Sequence, residues 1–242
     1  MDSTTPAVPA STSSEQPKIV LYWLEQSRAQ RILWLLEELK LPYELKVFHR
    51  QPDKLAPPEL KKIHPLGKSP VLSITPAGSE TPIVIAESAF ITEYLLEHFG
   101  KDTTLLPKRW KEGQEGEIGG ETEQYMRYKY FLHYAEGSLM SILLVALIVE
   151  NIKNSPVPFF IKPITSGVAS KVRSFFVDPN LLTHFDFLEK QLESSCPPGS
   201  VAAAEPFLCG PHLTGVDILL SFPLIASRGR TEALSEARFP TL

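Results

Sequence analysis

The segment Ile63-His-Pro-Leu-Gly-Lys-Ser-Pro-Val71 decides how the first part of the chain is read. It leads from a short proline-started helix into an apolar run. An X-Pro bond just before a strand is a place where a cis proline can sit. Such a turn offers the N–H and C=O of the preceding residue to a bound peptide, which then pairs with them as an added strand would. On that reading Ser69 makes the main-chain contact, Pro70 holds the turn, and Lys68 reaches a carboxylate. The plainer alternative is an ordinary turn into an edge strand, and this segment alone does not decide between them.

Working outward from it, residues 70–74 and 82–86 are short apolar runs separated by Thr75-Pro-Ala-Gly-Ser-Glu80, which is turn chemistry, so a β-hairpin is expected. Ser88 is expected to cap a helix over residues 89–99 that ends at Gly100. Upstream, residues 18–23 read as a buried strand and 28–40 as a helix. In that helix Ala29, Ile32, Leu33, Leu36 and Leu39 form one face, with Arg31, Glu37 and Glu38 toward the other side. Pro42 stops it, and residues 43–48 follow as a second strand, parallel to the first. Residues 57–63 form the short helix. The order is βαβαββα, an α/β unit over residues 17–100.

Residues 101–120 are charged and glycine-rich and read as a linker with the frayed start of a helix. From 121 to 242 only helices are expected: 124–152, then 167–177, then 181–193 capped by Asn180, and a last one from Gly215 to about 227. Pro156, Pro158 and Pro163 break the chain between the first two. Thr214 and Asp217 have capping-box spacing at the last helix. Tyr125, Tyr128, Tyr130 and Tyr134 are spaced so that some project toward the sheet, where an aromatic-walled cleft would suit flat hydrophobic electrophiles. The bland alternative is that these rings are core.

Composition excludes several classes. The chain has 242 residues, 43% of them hydrophobic, which suits two packed units. With 24 basic and 28 acidic residues the net charge is -4, so no basic excess draws in nucleic acid or an anionic membrane. Cys196 and Cys209 form neither a CxxC pair nor a metal-spaced cluster, which argues for structural thiols, a reducing compartment and no metal. Residues 1–16 are rich in Ser, Thr, Pro and Ala and read as a disordered tail, not a secretory signal. The apolar run 142–149 is too short for a transmembrane segment. A cytoplasmic location is the default.

Two more local features bear on chemistry. Glu87-Ser88 stands at a helix start, where free N–H groups favour a carboxylate and Glu87 attracts a neighbouring ammonium; together they fit an α-amino acid head group. Ser27, with Arg28 beside it, lies between the first strand and the first helix, where a hydroxyl and the helix dipole both favour a thiolate over a thiol. Each serine is also readable as a simple helix cap.

Trp23-Leu-Glu-Gln-Ser-Arg-Ala29, the HPLGKSPVL segment, Ile85-Ala-Glu-Ser88 and Tyr134-Ala-Glu-Gly-Ser-Leu139 together resemble the glutathione transferases, especially a fungal cytosolic branch similar to the yeast enzymes. The likeness runs from about residue 18 to 240. It implies a thioredoxin-like N-terminal domain followed by an all-helical C-terminal one, with glutathione as co-substrate, a homodimer, and conjugation of the glutathione thiolate to hydrophobic electrophiles. A glutathione peroxidase side activity is also implied. Residue by residue it implies Ser27 as the catalytic hydroxyl, Ser69 before cis Pro70 on the cysteinyl main chain, Lys68 near the glycyl carboxylate, and Glu87 and Ser88 on the γ-glutamyl group. Tyr22 stands near the catalytic tyrosine of other classes and remains the alternative thiolate donor. The lack of a cysteine after the first strand argues against thiol-reductase chemistry. Relatives continue with at least one more helix, so a truncated helical domain with an exposed apolar face is expected. The competing functional class is a non-catalytic protein of this fold that carries hydrophobic ligands or binds a protein partner.

Overall fold

The computed structural model describes residues 16–195, 206–228, 238, 239, 241 and 242. Strand β1 (Lys18–Leu24) leads into helix α1 (Ala29–Glu38), strand β2 (Glu44–Phe48), a 3-10 turn (Pro58–Lys62), strands β3 (Val71–Thr75) and β4 (Ile83–Ala86), and helix α2 (Ser88–Phe99). The sheet order is β2-β1-β3-β4, with β1 and β2 parallel and the other pairs antiparallel. The expected crossover and hairpin are both present. The helical region follows: α3 (Glu123–Tyr134), α4 (Met140–Lys153), α5 (Lys162–Val172), α6 (Asp178–Glu193) and α7 (Gly215–Ser227).

Ile32, Leu35 and Leu36 of α1 are fully buried against the sheet. Removing side chains of this size from water contributes about 2 kcal/mol each. The sequence expectation fails at Arg31, which is 1% exposed. Glu37 and Glu38 stay exposed, but α7 packs over Arg31, and the guanidinium is tolerated because it has partners: Nη1 donates to the Leu219 carbonyl of α7 at 2.6 Å and Nη2 pairs with Glu136. A charge this deep survives only when paired and hydrogen-bonded.

Three boundaries differ from expectation. Ser88 is the first residue of α2, not its cap; the cap position is Glu87. No separate helices 167–177 and 181–193 exist. A π-turn at Arg173–Val177 carries α5 straight into α6, and Asn180 lies inside, its Nδ2 donating to the Phe176 carbonyl at 2.6 Å. Pro163 sits in the first turn of α5, where its missing N–H costs nothing. The linker does not start a helix: Trp110 and Glu121 close it with a β-bridge, and the Thr122 hydroxyl caps α3 by accepting from the Tyr125 N–H at 3.2 Å. A second π-turn, Ala135–Leu139, joins α3 to α4, so Glu123–Lys153 is one helix of 31 residues. It is apolar and long enough to cross a membrane by composition, but half of the relevant window is buried, as in the core helix of a packed bundle.

The Thr214/Asp217 cap forms as expected. The Asp217 carboxylate accepts from the Thr214 N–H at 2.8 Å, its hydroxyl at 2.6 Å, and the Leu208 N–H at 2.9 Å. Gly215, just behind it, is required by packing: a Cβ there would stand 2.3 Å from Leu96 Cδ1 of α2. The last described residues fold back on α6, where Glu189 accepts from the N–H groups of Thr241 and Leu242 and Phe239 meets Phe185 edge-on. The expected disordered tail and the loop holding Cys196 fall almost wholly outside the described residues.

Candidate functional site

The register of the sheet brings the sequence-predicted residues to one end. Tyr22 of β1 pairs with Val71 of β3, and Val71 pairs with Ala86 of β4. The end of β1, the start of β3 and the end of β4 are therefore neighbours. Ser27 follows the first, Ser69 and Pro70 precede the second, and Glu87 and Ser88 follow the third.

The Ser69–Pro70 bond is cis. The Ser69 hydroxyl donates to the Tyr22 carbonyl at 3.0 Å and accepts from the Leu24 N–H at 3.2 Å, which fastens the turn to the end of β1. The side chain is thus used internally. The Ser69 main-chain N–H and C=O make no backbone hydrogen bond among the described residues, and they remain available to a ligand. Lys68 is exposed beside them, following Gly67 at φ 57°.

Ser27 is 9% exposed, and its Oγ accepts the Ala29 N–H at 3.1 Å at the first turn of α1. Accepting that bond fixes the oxygen and leaves its O–H as the free donor. The simple-cap reading and the donor reading are therefore compatible in one side chain. The start of α1 also carries the positive end of the helix dipole. Arg28 lies next to it, with Nε 3.4 Å from Glu136 Oε2.

Glu87 adopts φ 72°, ψ 117°, a backbone region that non-glycine residues rarely occupy. Its side chain is exposed. Ser88 is 4% exposed, and its hydroxyl has no hydrogen-bond partner among the described residues. An exposed carboxylate, an unengaged hydroxyl and the N–H groups opening α2 thus stand together at one helix start, a set that complements an ammonium and a carboxylate held together.

Residues 27–98 match the family model described as glutathione S-transferase, N-terminal domain. Over 208 residues the chain is 36% identical to glutathione S-transferase 1 of Saccharomyces cerevisiae, covering 86% of this chain and 80% of that one. The chain belongs to the glutathione S-transferase family. Among solved structures, the glutathione S-transferase of Actinobacillus pleuropneumoniae is 30% identical with TM-score 0.63, covering 92% of this chain and 82% of its own. A glutathione transferase of Phanerochaete chrysosporium, solved with oxidized glutathione, shares the fold with TM-score 0.62 at 17% identity and covers 95% and 87%. The thioredoxin-like sheet followed by a helical region is thus the glutathione S-transferase architecture.

Tyr22 is a partly buried residue of β1. Its ring packs on Phe48, 6.5 Å between centroids, and under the Lys46 ammonium at 5.5 Å. The four tyrosines of α3 do not line one cleft. Tyr128 and Tyr134 are core residues, and Tyr130 stacks on Tyr134 and meets Phe187 of α6. Tyr125 pairs with the Arg109 guanidinium at 5.6 Å. Burial pushes the Cys209 thiol up to about 12, which keeps it protonated and unreactive at neutral pH. Among the described residues no cluster of His, Cys, Asp and Glu is fit to hold a metal ion.

Sequence reasoning missed Glu136. It sits in the π-turn of the helical region and pairs with both Arg28 and Arg31 at the start of α1. The quoted motif Tyr134-Ala-Glu-Gly-Ser-Leu139 contained it, but nothing local shows that a residue more than a hundred positions away meets the helix after Ser27.

Proposed function

We propose that this protein binds glutathione at the sheet end and conjugates its thiolate to hydrophobic electrophiles. The observation that carries the reading is the three-strand register that puts the Ser27 hydroxyl, the free Ser69 main chain and the Glu87-Ser88 helix start side by side. The tripeptide lies across them. Glu87 and Ser88 hold the γ-glutamyl head group, Ser69 before Pro70 pairs with the cysteinyl main chain, and Lys68 meets the glycyl carboxylate. Residues 17–100 form the glutathione-binding unit, 101–120 the linker and 121–242 the helical unit.

Ser27 donates its hydroxyl hydrogen to the sulfur, and the first turn of α1 adds its positive end. Both favour the anion, at about 1.4 kcal/mol for each unit by which the thiol pKa falls. The sulfur lone pair then forms the S–C bond while the leaving group departs with its electrons, or the attacked double bond takes a proton from water. Holding both reactants in reacting geometry lowers the barrier further. With a hydroperoxide as acceptor, two glutathiones give one disulfide while the peroxide becomes an alcohol and water. A homodimer and a cytoplasmic location complete the proposal.

The test is Ser27→Ala. Turnover of an aromatic halide should drop about a hundredfold, with retention on immobilised glutathione preserved and the ultraviolet thiolate band of bound glutathione moved to higher pH. Unchanged turnover and an unmoved band would transfer the role to Tyr22 or to a backbone donor. Loss of glutathione retention in the unaltered protein would leave the carrier reading.

A further inference from the structure

Helix α2, the linker and α3 bound a cavity of about 720 Å³, a volume in the range of small-molecule sites. It lies away from the sheet end. Ser88 opens α2, and Glu97, which lines the cavity, stands about 14 Å further along the helix axis.

Polar groups of its wall are without partners. Tyr128 is 1% exposed, and its hydroxyl makes no hydrogen bond among the described residues, although buried hydroxyls ordinarily make one. Burial raises the Tyr128 pKa, and so do the carboxylates of Glu93 and Glu97. Both carboxylates line the same cavity, so the hydroxyl stands on the cavity side of α3. Lys101, Lys108 and Arg109 also line it, and none of the three is in an ion pair among the described residues. The Arg109 guanidinium is held by rings alone, 4.4 Å from the Trp110 centroid and 5.6 Å from that of Tyr125. Its N–H groups donate to no described residue. Glu93 is neutralised by Lys129, while Glu97 has no ion-pair partner among the described residues. Leu106, Pro107 and Tyr125 supply an apolar side.

We infer that this cavity binds a nucleoside phosphate, with the phosphate on Lys101, Lys108 and Arg109, the sugar hydroxyls donating to Glu97, and the base along Leu106, Pro107 and Tyr125. The buried Tyr128 hydroxyl donates to a base or sugar acceptor. The recess is concave and sized for a small molecule, so neither a bilayer nor the face of a folded protein enters it. Inorganic phosphate would use the cations and leave the apolar side bare. An aromatic carboxylate or sulfonate would bring no donor for Glu97. A nucleoside phosphate brings an anion, hydroxyl donors and a flat ring together, and an unengaged guanidinium is the group that grips phosphate through paired N–H bonds.

The experiment is calorimetric titration of the full chain with ADP, adenosine, inorganic phosphate and a naphthalene sulfonate, alongside light scattering for mass in solution. ADP should bind saturably, and the other three at least about tenfold more weakly. Lys108→Gln/Arg109→Met should lower ADP affinity about tenfold, and Tyr128→Phe and Glu97→Gln about fivefold each. In the Lys108/Arg109 variant, aromatic-halide turnover and retention on immobilised glutathione should stay unchanged. Ser27→Ala should leave ADP binding unchanged, so this inference and the glutathione reading fail separately. Should Tyr128→Phe not fold, the other two variants carry the same test. No saturable binding of ADP at millimolar concentration overturns the inference, as does ADP affinity unaltered in the Lys108/Arg109 variant. Inorganic phosphate binding as tightly as ADP would mean an adventitious ion only, and a tighter sulfonate would remove the sugar contacts. Displacement of ADP by glutathione would move the nucleotide to the sheet end. A dimer that becomes monomeric in the Lys108/Arg109 variant would give those side chains to a second copy.

Discussion

Arg31 of α1 and Glu136 of the π-turn after α3 form an ion pair that links the sheet region to the helical region at the helix that follows Ser27. The guanidinium is wholly buried, while the carboxylate retains some solvent access. Burial lowers the Arg31 pKa and Glu136 opposes that shift, so the charge depends on its partner. Glu136→Ala should destabilise the protein by about 3 kcal/mol, because it leaves a buried cation without a counter-ion. Arg31→Met combined with Glu136→Ala should cost less than Glu136→Ala alone. Urea unfolding of the three variants measures both, and simple additivity would mean that the pair is not coupled.

Glu87 holds a positive φ that its side chain does not favour. Such a conformation costs about 1–3 kcal/mol and persists where the site uses it. Glu87→Gly should therefore raise the unfolding midpoint while weakening retention on glutathione, whereas Glu87→Ala should weaken retention without the gain in stability. Thermal unfolding and glutathione affinity read together separate the backbone effect from the lost charge.

Asp217 accepts three hydrogen bonds that close the start of α7 and tie down Leu208. Asp217→Ala should cost about 2 kcal/mol, from the lost cap and the orphaned Leu208 N–H. The fall should appear in equilibrium unfolding, with little change in the affinity of the remaining folded protein for glutathione. A loss of affinity at full stability would instead give Asp217 a direct part in the site.

His184 of α6 meets the Tyr134 hydroxyl at 2.7 Å through Nδ1, and burial lowers its pKa. As pH falls below the ordinary histidine value of about 6.5, the unfolded chain takes up a proton that the folded protein still refuses. Stability should then decline with falling pH through that window and be fully present above it. His184→Gln should flatten this part of the stability–pH curve. An unchanged slope in denaturant titrations at stepped pH would assign it to other groups.

The candidate site was legible because its parts are local. Ser69-Pro70, Glu87-Ser88 and Ser27-Arg28 each sit at a strand–helix or turn–strand junction, where propensity and turn chemistry fix the backbone within a few residues. The strands and the Thr214/Asp217 cap were readable for the same reason. The single helix formed by α5 and α6 was not, since a π-turn has no composition of its own, and Asn180 looked like a cap only while a break was assumed.

The chain's order of apolar runs, prolines and turn residues was enough to determine the βαβαββα unit and the residues that meet at one end of its sheet, because each of those depends on neighbours in sequence. Tertiary structure alone decided the fate of side chains whose partners are remote. It buried Arg31, brought Glu136 to the start of α1, sent Tyr128 and Tyr134 into the core and left Phe159 in solvent. A residue's burial and charge pairing depend on which surface arrives to cover it, and that is settled when the helices pack.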